Sequence, residues 1–259
     1  MLTLYYLFAD LLRGRENLFD YFWTYATDLP PDIGVETFGL THLRWVSASA
    51  LFIIMAILIY RKQNKDVRRK IQVSAAIFMI AGTLIRWIWA ASIGHYSIAE
   101  MLPLHLCTMS VIVEFAAVIS KNLILKEFSY AVSLPGAVAS IITPLMGPYP
   151  FCSYYYLEFA ATHTILVTLP LLWILVDGFR PDFHRLPACF AILVAFAGAA
   201  AIVNRAIGSN YMFIRYAPKG TPLEIFEKWC GTPGYLIPTI LLLLLIWIVL
   251  YIPWRVRKS

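Results

Sequence analysis

The run Leu102-Pro103-Leu104-His105-Leu106-Cys107 places an imidazole and a thiol two residues apart in an otherwise apolar stretch. A second imidazole, His163, lies five residues beyond Glu158 in another apolar run. Thiol and imidazole together are a potential nucleophile and its base. The reactive form of cysteine is the thiolate, and in apolar surroundings it forms only beside a base or a cation. Histidine is the usual base. On an uninterrupted helix, however, residues two apart point about 200° away from each other. Cys107 then needs His163 or His42 from another element, or a local break near Pro103. Cys107 shares its helical stripe with Ser110, Val111 and Glu114, and His105 shares one with Thr108, Met109 and Ile112. If a single stripe faces a cavity, one of the two is a bystander, and His105 ranks ahead. The catalytic candidates are therefore His105 or His163 as base and Cys107 as thiolate.

Around them stand Arg86, Glu158, His42, the pair Asn204-Arg205, and Asn210. Guanidinium groups suit a phosphate, and side-chain amides can donate to a substrate oxygen or an oxyanion. These six are the substrate-binding candidates. Each also has a plainer reading. A lone buried histidine is ordinarily a packed residue. Arg86, beside Trp87 and Trp89, can snorkel towards headgroups, and Glu158 can serve as a partner for Arg86 or Arg205. Glu114 reads as an interhelical hydrogen-bonding group and Cys189 as core. His42, His105, His163 and Glu158 are chemically suited to zinc or iron, but no HxxxH or HExxH spacing supports them. No metal and no cofactor are expected. The four cysteines form no CxxC pair, which leaves Cys152 and Cys230 as either a disulfide or two free thiols.

The elements that must position these groups are membrane spans. Only 14% of the 259 residues are charged while 60% are hydrophobic, with a mean hydropathy of +0.71. Soluble domains carry about a quarter of their residues as charges. The apolar residues fall in long runs near 42–60, 71–91, 101–120, 123–144, 154–176, 186–203 and 235–251. The fourth is the weakest, since it holds Lys126, Glu127 and Pro135. Seven transmembrane helices follow, an all-α polytopic bundle. The first connecting segment carries six basic residues between Arg61 and Lys70, the third carries Lys121 with Lys126 at its edge, and the fifth carries Arg180 and Arg185. With Arg255, Arg257 and Lys258 after the last span, one side holds well over half of the 21 basic residues. That side is cytoplasmic by the positive-inside rule, so the N-terminus lies outside and the C-terminus inside.

Three regions result. Residues 1–41 form an extracytoplasmic segment with an interfacial helix near 1–8, where Tyr5, Tyr6, Phe22 and Trp23 suit the headgroup layer. Residues 42–252 form the bundle, and 253–259 a basic cytoplasmic tail. The net charge of +6 sits between apolar runs, so membrane lipids are the expected partners and nucleic acid is not. A retinal protein is excluded, because no span holds a lysine except Lys126 near its inner mouth. No internal repeat suggests a transporter. With this topology His105, Cys107, Glu158, His163, Arg86, His42, Asn204 and Arg205 all fall in the outer half, while the inner half holds little beyond Glu114. Ionisable groups inside spans are costly and mark function.

LPLHLC (102–107), Thr143-Pro144, His163 and Gly208-Ser209-Asn210-Tyr211-Met212-Phe213 together resemble the YwaF-like bacterial membrane proteins, relatives of the eukaryotic transmembrane protein 164 acyltransferases. The resemblance covers about residues 35–255 and includes His42 at the start of the first span. It implies an acyltransferase or transacylase acting on glycerophospholipids, here in a bacterial plasma membrane. In the eukaryotic branch a cysteine beside the histidine carries the acyl group. In this chain Leu104 precedes His105 and the nearest thiol is two residues after it, so His105 carries over most directly. The alternative expectation is a lipid- or small-molecule-binding or transport protein that uses the same polar pocket without turnover.

Overall fold

The computed structural model of the protein describes residues 18–255. The regular elements among them are helical: α1 Leu40–Tyr60, α2 Lys65–Ser92, α3 Leu106–Ser120, α4 Leu123–Phe128, a π-helical turn Ser129–Ser133, α5 Leu134–Ile142, α6 Tyr154–Leu175, α7 Leu186–Ile207, α8 Pro222–Cys230 and α9 Leu236–Arg255. The interfacial helix expected near 1–8, with Tyr5 and Tyr6, lies outside the described residues, as does the tail from residue 256. Phe22 and Trp23 are described. Trp23 stacks on Tyr154 at 4.6 Å, and Tyr154 N donates to Phe22 O, so this segment packs on the end of α6.

α1, α2, α6, α7 and α9 are long and apolar enough to cross a membrane. α6 is the central one: 61% of its apolar window is buried, against 11–17% in the other four. The outer faces of those four carry Leu51, Ile54, Phe78, Ile202, Leu245 and Ile248, all exposed. In water such a surface would be an apolar patch far beyond what soluble proteins show. In lipid it needs no cover.

The other two expected spans differ from their sequence reading. α3 begins at Leu106, not near 101, because Pro103 lies in a turn closed by Leu104 N to Leu102 O and His105 is the N-cap with extended backbone. Its 15 residues reach about 22 Å, short of a hydrocarbon core of about 30 Å. The run 123–142 is helical throughout but changes pitch in the π turn. The cause is Pro135, whose ring cannot accept the carbonyl four residues back. That carbonyl, Ala131 O, instead accepts from Trp247 Nε1 of α9 at 2.9 Å. At its start α2 gains the basic stretch 65–70, expected as loop, because Asn64 Oδ1 caps the helix by accepting from Val67 N at 2.9 Å.

The basic end of the bundle is tied by buried polar contacts. Glu127, wholly buried, accepts from Asp182 N at 3.1 Å, from Arg185 Nη1 at 3.0 Å and from Tyr251 OH. It thereby joins α4, the segment before α7, and α9. Arg185 keeps 28% of its side chain exposed and can rehydrate. Glu127→Ala is therefore expected to cost about 2 kcal/mol, the loss of charge-assisted hydrogen bonds, without collapse of the fold. Denaturant titration in detergent would check this.

Candidate functional site

At the end away from the basic segments, the bundle holds a half-open cavity of about 480 Å³. It is walled by the last turns of α2, the residues leading into α3, the far end of α5, the first turns of α6, and Met212 and Phe213. His105, Cys107, Arg86, Glu158 and His163 all line it. The break before α3 is what allows both His105 and Cys107 to do so. His105 is outside the helix, so the 200° separation of a regular helix does not apply.

The helix start also shapes the chemistry. No side chain caps α3, and its first internal bond is Met109 N to His105 O. The amides of Leu106, Cys107 and Thr108 therefore have no acceptor within the helix. All three residues line the cavity. The Cys107 thiol sits in this first turn, at the positive end of the helix dipole. Its Sγ is 3.7 Å from Ser140 Oγ of α5. The two helices can approach because residue 136 is glycine: a Cβ there would come within 3.3 Å of Leu106 Cδ2.

His163 faces Cys107 from α6, and the two groups interact electrostatically. Its tautomer follows from its other contact. Nδ1 lies 2.8 Å from Phe159 O, and a carbonyl can only accept, so Nδ1 carries the proton. Nε2 then presents a lone pair. It is buried, it has no conventional hydrogen-bond partner among the described residues, and the thiol is the group it faces. The Phe159 ring, 4.0 Å from the imidazole, limits its rotation. A carbonyl thus fills the orienting role that a carboxylate fills in many triads.

Glu158 pairs with Arg86, not Arg205: Arg86 Nε is 3.3 Å from Glu158 Oε2, and both are largely buried. Glu158 Oε1 also accepts from Thr162 at 3.3 Å and Thr83 at 3.5 Å. Arg86 lies over the Tyr155 ring at 5.2 Å. It points into the cavity and does not snorkel outward. Trp87 lines the cavity beside it, with its Nε1 unpartnered among the described residues.

His42, Asn204, Arg205 and Asn210 do not line the cavity. His42 accepts from Phe38 N at Nδ1 and therefore donates from Nε2 to Ile141 O at 2.9 Å, pinning α1 to the residue after Ser140. Asn204 uses its whole amide on the loop 208–213: Nδ2 donates to Tyr211 O, while Oδ1 accepts from Tyr211 N and Ser209 Oγ. Tyr211 OH then donates to Ile98 O and accepts from Leu102 N, and its ring lies 4.8 Å from His105. Asn204 so holds the roof of the cavity through Tyr211. Asn204→Ala strands three buried polar groups and is expected to cost about 2–3 kcal/mol and to loosen the roof. A thermal shift with raised proteolysis after residue 208 would register both. Asn210 bonds Tyr216 and Arg215 backbone, and Arg205 is exposed.

Ser140, Trp87, Thr162 and Met212 were not candidates on sequence. Only Met212, within the GSNYMF run, carried a signal. Glu114, expected to hydrogen-bond between helices, is wholly buried with both carboxyl oxygens unpartnered among the described residues. Cys152 and Cys230 are free thiols. Among the described residues no group of three or more His, Cys, Asp or Glu converges as a metal site.

The TMEM164 family model matches residues 37–251, from just before α1 into the last turns of α9. The chain belongs to the TMEM164 family. No curated protein and no solved structure matches it. Every residue that lines the cavity lies within the TMEM164 match, and the family together with the apolar helices marks an integral membrane protein.

Proposed function

We propose that the protein is a membrane transacylase that moves an acyl chain between glycerophospholipids, working from the outer leaflet of a bacterial plasma membrane. The observation that carries the reading is the Cys107 thiol at the start of α3 and His163 of α6 lining one cavity. Nδ1 of His163 is held on Phe159 O, and its Nε2 is left without a hydrogen-bond partner among the described residues. Family membership supports it. The topology that goes with it has seven spans, with α3 and the run 123–142 counted as crossings, the N-terminus outside and the C-terminus in the cytoplasm. The basic residues at one end of the bundle support that orientation.

Nε2 of His163 takes the thiol proton, and the thiolate adds to the ester carbonyl of a donor lipid. The oxyanion meets the amides at the start of α3 that have no acceptor within the helix, and the Ser140 hydroxyl. The carbon–oxygen bond breaks, the lyso-lipid alkoxide takes the proton from His163, and the acyl group remains on Cys107 as a thioester. The hydroxyl of an acceptor lipid then gives its proton to His163 and attacks the thioester, which restores the thiol. An ester is broken and an ester is made, so no cofactor or activated donor is required. Arg86 and Trp87 Nε1 supply donors for a phosphate, and His105, at the roof, meets the headgroup side of the substrate.

The experiment is acyl exchange in vesicles that contain the purified chain, an isotopically labelled diacyl phospholipid and an unlabelled lyso-phospholipid. Label should pass to the lyso-lipid in the native chain and not in C107S. Saturable binding of either lipid without exchange would replace this reading with that of a lipid-binding protein.

A further inference from the structure

The segment between α7 and α9 holds a nine-residue helix, α8, whose surface is divided cleanly. At about 100° per residue, Ile225, Trp229, Pro222, Phe226, Cys230 and Leu223 cover one arc of about 160°. Glu224, Glu227 and Lys228 occupy the rest. The polar arc is fully engaged: Lys228 Nζ pairs with Glu224 Oε1 at 3.0 Å, Glu224 Oε2 accepts from Gly220 N at 2.7 Å, and Thr232 Oγ1 donates to Glu227. The Gly220 N–H, and then Lys228, hold the Glu224 carboxyl below its ordinary range, which keeps that face charged. On the apolar arc Pro222, Ile225, Trp229 and Cys230 are exposed, while Leu223 and Phe226 are half-covered. No residue of α8 is buried, and Trp229 is 76% exposed.

What covers this arc follows from its neighbours in the chain. α7 and α9, on either side, are both long and apolar enough to span a membrane. On the adjoining ends of these helices Ile202, Ile207, Ile237 and Leu241 are exposed and apolar. α8 is thus joined in the chain to the ends of two spans, with five residues between it and the second, which puts it at the level where a span leaves the hydrocarbon. Tryptophan on such a face suits the headgroup boundary. α8 is also linked to the cavity, because Tyr235 OH, at the start of α9, donates to Phe213 O, and Phe213 lines the cavity.

We propose that α8 is an in-plane membrane helix that buries Ile225, Phe226 and Trp229 in the headgroup and upper acyl region of the leaflet at the cavity end of the bundle. Its partner is the phospholipid surface. Its docking holds the 213–235 segment, and with it Phe213, against the cavity roof.

The test is the accessibility of a nitroxide on Cys230 to oxygen and to a nickel chelate. The full chain would carry C107S and C152S, in nanodiscs of phosphatidylcholine and phosphatidylglycerol; Cys189 is wholly buried and does not compete. Cys230 should collide mainly with oxygen. A label on K228C in a C230S background should collide mainly with the nickel chelate. I225E/W229E should shift the Cys230 label to the chelate-dominated pattern while the K228C pattern stays. Chelate-dominated collisions at both positions would overturn the proposal in favour of a helix standing in water. Protection of both from both reagents would overturn it in favour of a protein partner. Neither readout depends on acyl transfer, so the two proposals fail separately.

Discussion

Replacing Cys107 by serine is expected to lower acyl exchange by roughly 10³-fold or more, and to abolish any acyl adduct on the protein. The reason is the microenvironment. A thiol at a helix start beside an imidazole reaches its anion far more readily than a hydroxyl in the same place. His163→Ala should cost about 10²–10⁴-fold, the usual range for a general base. The double variant should be little worse than either single one, because the two residues act as a unit and their effects do not add. Additive losses would mean that the two groups work on separate steps. Mass spectrometry after incubation with donor lipid supplies the second readout. A thioester mass on the peptide that contains Cys107 should appear in the native chain, be weak in the His163 variant and be absent from C107S. Exchange at the native rate in C107S would sink the covalent mechanism outright.

His105 should behave differently. Its ring is clamped by Tyr211 and Phe213, and the neighbouring loop is held by Tyr211 OH. Its place at the roof follows from the break before α3. That break is the point at which sequence reading reached its limit. Pro103 signalled an interruption, but whether it fell before or after His105 decides which side chains share a cavity. Proline forbids continuation without stating where the next cap will be. The membrane character and the clustering of costly groups at one end were legible, since both rest on charge placement along apolar runs. The Arg86–Glu158 contact was one of two pairings the sequence left open. Ser140 was invisible, because a serine in a small, apolar helix has the same local signature whether it faces lipid or a thiol. Asn204, His42 and Asn210 show the reverse case. Their polarity marked them out, yet all three are consumed in holding loops and helix ends, where buried backbone groups also need partners.

Glu158→Ala is expected to be the most destabilising single change in the cavity wall, by about 3–5 kcal/mol. It removes the counter-charge from a largely buried guanidinium that has no second carboxylate within ion-pair distance among the described residues. It also removes the acceptor of Thr162, while Thr83 keeps Met79 O. Arg86→Met should cost a similar amount by leaving the carboxylate alone. The informative variant is the pair, R86M/E158L. Removing both charges together restores an apolar contact between α2 and α6, so stability should return to near the native value. Acyl exchange should not return with it if Arg86 holds a lipid phosphate. The apparent KM for lyso-phospholipid should then rise steeply while thioester formation from a neutral ester donor persists. Recovery of both stability and KM would assign the pair to architecture alone and leave the phosphate to another donor in the cavity wall, such as the buried Trp87 Nε1. A buried ion pair that only joins two helices can be replaced by apolar residues at little loss in stability. Arg86 is turned into the cavity and paired with Glu158, so stability alone does not separate the two roles and the KM for lyso-phospholipid does.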